Sequence, residues 1–346
     1  MRESPQTLEA APAAMRGPVR RPRLGFVGIG WIGRHRMEAI AADGAAEIAA
    51  VYDPSSETVD GAMRECRQCE RASSFESLLE RPLDGIVIAT PSALHAQQAE
   101  AAFDRGMAVF CQKPLGRTAV ECSRVVAAAR AADRLLAVDF SYRHTAAMQA
   151  IRELVASGSL GKVYAVDLVF HNAYGPDKPW FRDPQRSGGG CVIDLGIHLI
   201  DLALWTLGFP RVHEVESRLW AGGNALQRRC GVIEDHAIAQ FELSGGTTVR
   251  LACSWNLHAG RDAVIGASFH GTQGGARLHN CAGSFYDLRA EACAGTTSRV
   301  LAEPPDAWGG RAAVAWARRL AQRPGFDEGV ARVVDVASVV DAIYGH

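Results

Sequence analysis

Residues 24–33, LGFVGIGWIG, decide the fold. Leu24 to Ile29 is a short apolar, β-rich run after polar sequence and reads as a buried parallel strand. It ends in Gly28-Ile29-Gly30-Trp31-Ile32-Gly33, and Arg34 to Ala42 continues with helical composition. A strand, a glycine turn and a helix are what a dinucleotide pyrophosphate requires. Gly28 permits the tight turn, Gly30 lets phosphates approach the backbone, and Gly33 lets the helix pack on the strand. Glycine-rich turns are common, so the motif needs context. A second strand, Glu47 to Tyr52, supplies it by ending in Asp53, at the spacing of a carboxylate that holds the adenosine ribose hydroxyls and repels a 2′-phosphate. Pro54, Ser55 and Ser56 follow, with no arginine to welcome that phosphate. NAD is therefore expected over NADP.

The alternation continues outward from this stretch. GIVIAT (85–90) and Met107 to Cys111 read as further buried strands, with helices from Pro91-Ser92 to Arg105 and from Ala119 to Ala132. The pattern predicts an α/β doubly wound parallel sheet, a Rossmann domain, over residues 22–141. Ligands on such sheets sit at the carboxyl ends of the strands. That rim gathers Gly28 to Gly33, Asp53, Thr90, Pro91, His95, Gln112 and Lys113. A lysine at a strand end, fixed by a following proline, can stabilise an alkoxide as it forms.

Beyond Arg143 the pattern changes. A helix from Met148 to Ser157 precedes alternating runs at Val163 to Phe170, Val212 to Leu219, His236 to Leu243, Thr247 to Trp255, Ala263 to His270 and Ala276 to Asn280. These predict an α+β domain over 142–325 with a large, mainly antiparallel open sheet. An amphipathic helix is expected over 326–346. The first 21 residues, rich in Ala, Pro and Arg, read as a disordered tail, and translation could start at Met1 or Met15. Arg20 and Arg21 precede an apolar run as in an export signal, but that run is needed as the first strand, so a cytoplasmic protein is expected.

Charge and composition exclude some classes. The 346 residues carry 37 basic and 38 acidic side chains, so no basic excess points to nucleic acid. The apolar runs are expected to fall short of the roughly 18–20 residues that cross a bilayer. Nine cysteines, an odd number, suit reduced thiols better than a disulfide framework. Cys66 and Cys69 form a lone C-x-x-C with no second ligand pair, so no metal is expected there.

The stretch GGGCVIDLGIHLIDLALW (188–205) places Asp194, His198 and Asp201 on one stripe of an apolar helix. Three readings compete: a catalytic pair, a metal site with an O-N-O ligand set, or a core histidine satisfied by Asp201. Nothing else in the chain offers a matching ligand pair, which disfavours the metal.

Taken together, GFVGIGWIG, IATPSALH, QKPL and GGGCVIDLGIHLID, in this order, resemble the glucose–fructose oxidoreductase, inositol dehydrogenase and MocA family. The resemblance runs from about Arg23 to Tyr344 and is supported by WFRDP (180–184). It implies a nicotinamide-dependent oxidoreductase with Lys113, Asp194 and His198 as catalytic positions. Thr90, Pro91 and His95 match the family's cofactor loop, and Arg143 matches a residue near the cleft. The family usually has Glu before Lys-Pro, where this chain has Gln112. The amide keeps the shape and one acceptor but loses the charge, which bears on rate and pH optimum more than on reaction class.

The expected activity is hydride transfer between NAD and a hydroxyl or keto carbon of a cyclic polyol, inositol, sugar or sugar derivative. His198 would act as general acid/base, Asp194 as its orienter and a substrate ligand, and Lys113 as polariser. Asn172, Tyr174 and Trp180 are candidate substrate contacts, with packing as the alternative. Rival functions are a trans-dihydrodiol dehydrogenase, an internal-redox enzyme retaining NAD, and a non-enzymatic NAD sensor. A homodimer or homotetramer through the open sheet is expected.

Overall fold

The computed structural model describes residues 21–227 and 231–345. The expected tail, apart from Arg21, and the choice between Met1 and Met15 lie outside the described residues.

The first sheet is built as β1 (Arg23–Val27), β2 (Glu47–Tyr52), β3 (Glu70–Arg71), β4 (Gly85–Ile88), β5 (Ala108–Cys111) and β6 (Leu136–Val138). Every pairing is parallel, in the order β3-β2-β1-β4-β5-β6. Connecting helices are α1 (Trp31–Asp43), α2 (Ser56–Glu65), α3 (Phe75–Leu79), α4 (Ser92–Asp104) and α5 (Ala119–Ala131). All four residues of β4 and of β5 are buried, as a strand covered on both faces must be. The chain order reverses direction at β1 and β4, so the crevice at their carboxyl ends is the place for a ligand.

The second unit opens with α6 (Ala146–Ala156) and β7 (Val163–Asn172), then the single turn α7 (Pro184–Ser187) and helix α8 (Ile197–Thr206). The strands β8 (Val212–Ala221), β9 (Asn224–Ala225), β10 (His236–Leu243), β11 (Thr247–Ser254), β12 (Ala263–Gly271), β13 (Gly275–Asn280), β14 (Leu288–Ala294) and β15 (Thr297–Ala302) follow. They form one nine-stranded sheet, β15-β14-β13-β12-β7-β11-β10-β8-β9, antiparallel except where β7 meets β11. Burial alternates along β10: Ala237, Ala239, Phe241 and Leu243 face the core, while Ile238 and Gln240 face out. Helices α6 and α8 cover the inner face. The other face carries ion pairs such as Arg250–Asp167–His270 and is open in this chain.

Two elements depart from the sequence-based expectation. Helix α9 (Arg311–Gln322), placed by sequence in the second domain, returns to the first. Its Trp316 and Leu320 join the core of Leu24, Phe26 and Phe110, with the Phe110 and Trp316 rings 5.7 Å apart. The expected C-terminal helix divides into a 3₁₀ turn (Glu328–Arg332) and α10 (Val333–Tyr344), which packs on α5 and α8. Residues 184–206 are longer and more apolar than the sequence reading allowed, enough by length and composition alone to span a membrane. In the fold 83% of that apolar window is buried, so the segment belongs to the core.

Candidate active site

The glycines of the opening stretch have distinct steric duties. Gly28 has φ +77°, and a Cβ there would lie 2.6 Å from the Ala89 backbone. At Gly33 a Cβ would lie 2.0 Å from the Gly28 carbonyl oxygen, so only glycine lets α1 approach β1. Around Gly30 nothing lies within 4 Å of a Cβ position, and the residue faces open space at the helix start. That space belongs to a cleft of about 1150 Å³ whose walls include Gly30, Ile32, Asp53, Thr90, Pro91 and Trp180. Asp53 accepts from the Ile29 and Ser55 backbone N–H groups, 2.9 Å each. Trp31 is exposed at the rim. The open cradle at Gly30, the free first turn of α1 and the carboxylate at Asp53 fit a dinucleotide.

A smaller pocket of about 270 Å³ adjoins the cleft through Ile32, Thr90 and Trp180. Gln112, Lys113 and Asp194 line it. The Lys113 ammonium donates to the Asp194 side chain and to the Asp194 carbonyl, 2.8 Å each. Two of its three N–H donors are thus used, leaving one for an incoming oxygen. The other Asp194 oxygen accepts from the Trp255 indole N–H at 3.1 Å. His95 is buried between two rim carbonyls, with Nδ1 2.6 Å from the Pro114 oxygen and Nε2 2.7 Å from the Thr90 oxygen, and the neutral ring donates to one of them. Burial lowers the affinity of this imidazole for a proton.

His198 lies one turn beyond Asp194 on the same helix, packed edge-on to Tyr142 with ring centroids 5.0 Å apart. Burial first, then the charges of Lys113 and Arg36, push its pKa well below the ordinary histidine value, so the imidazole is neutral near pH 7. Its Nδ1 is buried without a hydrogen-bond partner among the described residues. No hydrogen bond joins it to Asp194, whose carboxylate oxygens accept from Lys113 and Trp255 instead. Nor does Asp201 pair with it: buried Asp201 makes a two-pronged ion pair with Arg143. That pairing turns Arg143 toward Phe140, Trp205 and Phe209 and away from the cleft.

The stripe of three polar residues is not a plain α-helical face. Val192–Gly196 is a π-turn, and the regular helix begins only at Ile197. Sequence reading misses what holds this turn. Buried Glu234 accepts from the Gly190 and Val192 N–H groups at 2.9 Å and from the Tyr344 hydroxyl at 2.8 Å. Tyr344 in turn accepts from the Ile193 N–H at 3.2 Å. The glycine run makes room for this clamp: a Cβ on Gly190 would lie 1.9 Å from the Glu234 carbonyl oxygen, and one on Gly189 2.2 Å from the Tyr344 hydroxyl. The only trace of it in the sequence is three glycines in a row.

The candidate substrate residues separate. Trp180 lines both cavities and stacks on Phe181 at 3.8 Å, and Phe181 meets Trp255 edge-on. Asn172 is buried and spends its side-chain oxygen on the Gly175 N–H. Tyr174 is largely exposed beside Phe285. Among the described residues no group of three or more His, Cys, Asp or Glu could hold a metal. Cys66 is half-buried, Cys69 is buried, and both are free thiols.

Comparison with known proteins places the two domains in a family. Residues 22–140 match the oxidoreductase family with an NAD-binding Rossmann fold, and residues 148–277 match the GFO/IDH/MocA C-terminal domain. The chain is 30% identical to a dTDP-3,4-didehydro-2,6-dideoxy-alpha-D-glucose 3-reductase of Streptomyces violaceoruber, covering 94% of this chain and 95% of that protein. It is 29% identical to the D-glucoside 3-dehydrogenase of Escherichia coli (strain K12) over 56% of this chain, a match spanning just 58% of that protein. A solved levoglucosan dehydrogenase, in complex with NADH and levoglucosan, has the same fold, with a TM-score of 0.79 at 22% identity over 94% of this chain and 96% of that one. The chain therefore belongs to the GFO/IDH/MocA family of oxidoreductases, with an NAD-binding Rossmann domain at its N-terminal end.

Proposed function

We propose that this oxidoreductase moves a hydride between NAD and a hydroxyl or keto carbon of a sugar, sugar derivative or cyclic polyol. The observation that carries the reading is the Lys113–Asp194 pair, set in the small pocket that opens off the dinucleotide cleft. The nicotinamide, when bound, supplies the hydride exchange. The chain must bind the substrate, exclude water and manage one proton. Asp194 accepts from substrate hydroxyls, and the remaining Lys113 N–H steadies negative charge on the reacting oxygen. Trp180, Phe181 and Trp255 offer flat apolar faces for the C–H side of a ring. His198 takes the proton, and its neutrality near pH 7 leaves it free to do so.

A second assignment of the proton has one observation in its favour. Lys113 lines the pocket and His198 does not. In that assignment Lys113 exchanges the proton and His198 tunes it from the helix turn beyond Asp194.

NAD is favoured over NADP by Asp53, whose carboxylate sits in the cleft beside Gly28 and Gly30. Assembly as a homodimer or homotetramer would use the open face of the nine-stranded sheet. The function is tested by supplying a panel of sugars, glycosides and inositols with NAD or NADP and following reduced nicotinamide by absorbance. Reduction of NAD by at least one of them supports the reading. Tight NAD binding with no reduction across the panel favours a sensor instead.

A further inference from the structure

Gln112 is explained by a buried neighbour. Asp139 follows β6, and its side chain is fully shielded from solvent. Its Oδ2 accepts from the Arg36 Nε at 2.6 Å and from the Gln112 side-chain amide, and its Oδ1 accepts from the Ser141 hydroxyl. Arg36, itself buried, donates a second bond to Ser141 at 3.0 Å. The three groups bridge separate parts of the site. Arg36 lies in the second turn of α1, whose first turn faces the dinucleotide cleft. Gln112 is the residue before Lys113.

We propose that Arg36, Asp139 and Gln112 form a strut that fixes the Lys113 loop against α1, and that position 112 must be an amide because Asp139 already supplies the carboxylate. An ionised carboxylate only accepts hydrogen bonds. A glutamate at 112 would set a second acceptor against Asp139 Oδ2, with the single charge of Arg36 to serve both. Two such carboxyls cannot both ionise cheaply, so they retain a proton between them. Gln112 avoids the conflict by donating. Its other side-chain atom, Oε1, makes no hydrogen bond among the described residues, although Gln112 lines the pocket. Asp139 and Gln112 are positioning residues: they act through the backbone that carries Lys113. The link to catalysis rests on the reading of Lys113 given above, whereas the strut itself does not.

The other titratable groups facing Asp139 are His35 beside Arg36 on α1, Cys111 at the end of β5 and His144 in the turn after Arg143. Burial leaves each of them disposed to the neutral form, His35 and His144 by losing a proton and Cys111 by keeping one. Arg36 is therefore the cation that balances Asp139.

The test is a double-mutant cycle of Gln112→Glu, Asp139→Asn and the combination, read by melting temperature, NAD affinity and, where a substrate is in hand, kcat and KM separately. With Asp139 in place, Gln112→Glu lowers kcat roughly tenfold at pH 8 with a smaller change in KM. Its melting temperature falls further below that of the wild type as pH rises from 5 to 8. The sign follows from the shared proton: the facing pair has a raised carboxyl pKa in the folded state, so stability is present at low pH and lost as pH rises through that value. In the Asp139→Asn background the same substitution restores one carboxylate opposite one amide, and the pH-dependent deficit shrinks. At pH 5 the protonated pair allows Gln112→Glu to fold, so failure at pH 8 remains readable. Equal effects of Gln112→Glu in both backgrounds would overturn the proposal, as would a variant with wild-type melting and NAD affinity at pH 8. Melting and NAD binding need no substrate, so they judge the strut even if the dehydrogenase reading fails.

Discussion

The Asp53 carboxylate is fixed in the cleft wall, because its two oxygens accept from the Ile29 and Ser55 backbone N–H groups. That preparation makes Asp53→Ala a test of cofactor choice. We expect NADH affinity to fall roughly tenfold, the scale of a lost charged hydrogen bond, and the preference over NADPH to narrow. Fluorescence titration with both cofactors reads the ratio, and an unchanged ratio would remove Asp53 from the ribose site. Asp53 was legible in the sequence because its spacing from the glycine turn is set by a short, repetitive unit. The sequence singled out Lys113 and Asp194 as residues. Their contact was not legible, because it joins positions 81 apart in the chain. The partners of Asp201 and Asp194 were misread for the same reason: local spacing offered His198 to both, while Arg143, Lys113 and Trp255 arrive from distant segments.

At the scale of elements, the glycines divide into those that make room for a ligand and those that make room for the protein. Gly30→Ala has open space and an ordinary φ of −58°. It should fold with little change in melting temperature while NAD affinity drops, because the methyl group enters the cradle. Gly190→Ala should instead lose folded protein or melt many degrees lower, since its Cβ would collide with the Glu234 backbone. Equal behaviour of the two variants in melting and NAD titration would contradict this division. Most elements follow from period and punctuation in the sequence. The strands β14 and β15 were missed because LRAEACA lacks clean alternation and TSRVLA is an exposed edge. The π-turn also left no periodic mark. It is imposed by Glu234 and Tyr344, which reach the helix from roughly 40 and 150 residues away.

For the whole molecule, burial of neutral histidines couples stability to acid. His95, His144 and His198 are pushed below the ordinary histidine value by burial, and His171 falls to about 4, with burial the larger cause and His236 the smaller. Each lowered pKa contributes stability that is intact above the unfolded value near 6.5 and lost as pH falls below it. Glu234 and Asp201, whose pKa values are raised by burial, act in the opposite sense. Denaturant unfolding at pH 7, 6, 5 and 4.5 should therefore show stability falling below about pH 6.5, by up to roughly 1.4 kcal/mol per pH unit for each such histidine. His171→Asn should flatten part of that slope. A profile level from pH 7 to 5 would contradict the assignment. The two-sheet plan was legible in the sequence. The return of α9 to the first domain was not, since an amphipathic helix does not name the surface it covers.

The central claim is that Lys113, Asp194 and His198 carry the chemistry beside a bound nicotinamide. Single-turnover hydride transfer at saturating NAD, in wild type, Lys113→Ala and His198→Ala, tests it most directly. The account predicts NAD affinities within about threefold of wild type and transfer slowed roughly a hundredfold or more in both variants. A wild-type rate in His198→Ala would hand the proton to Lys113, and wild-type rates in both variants would contradict the site.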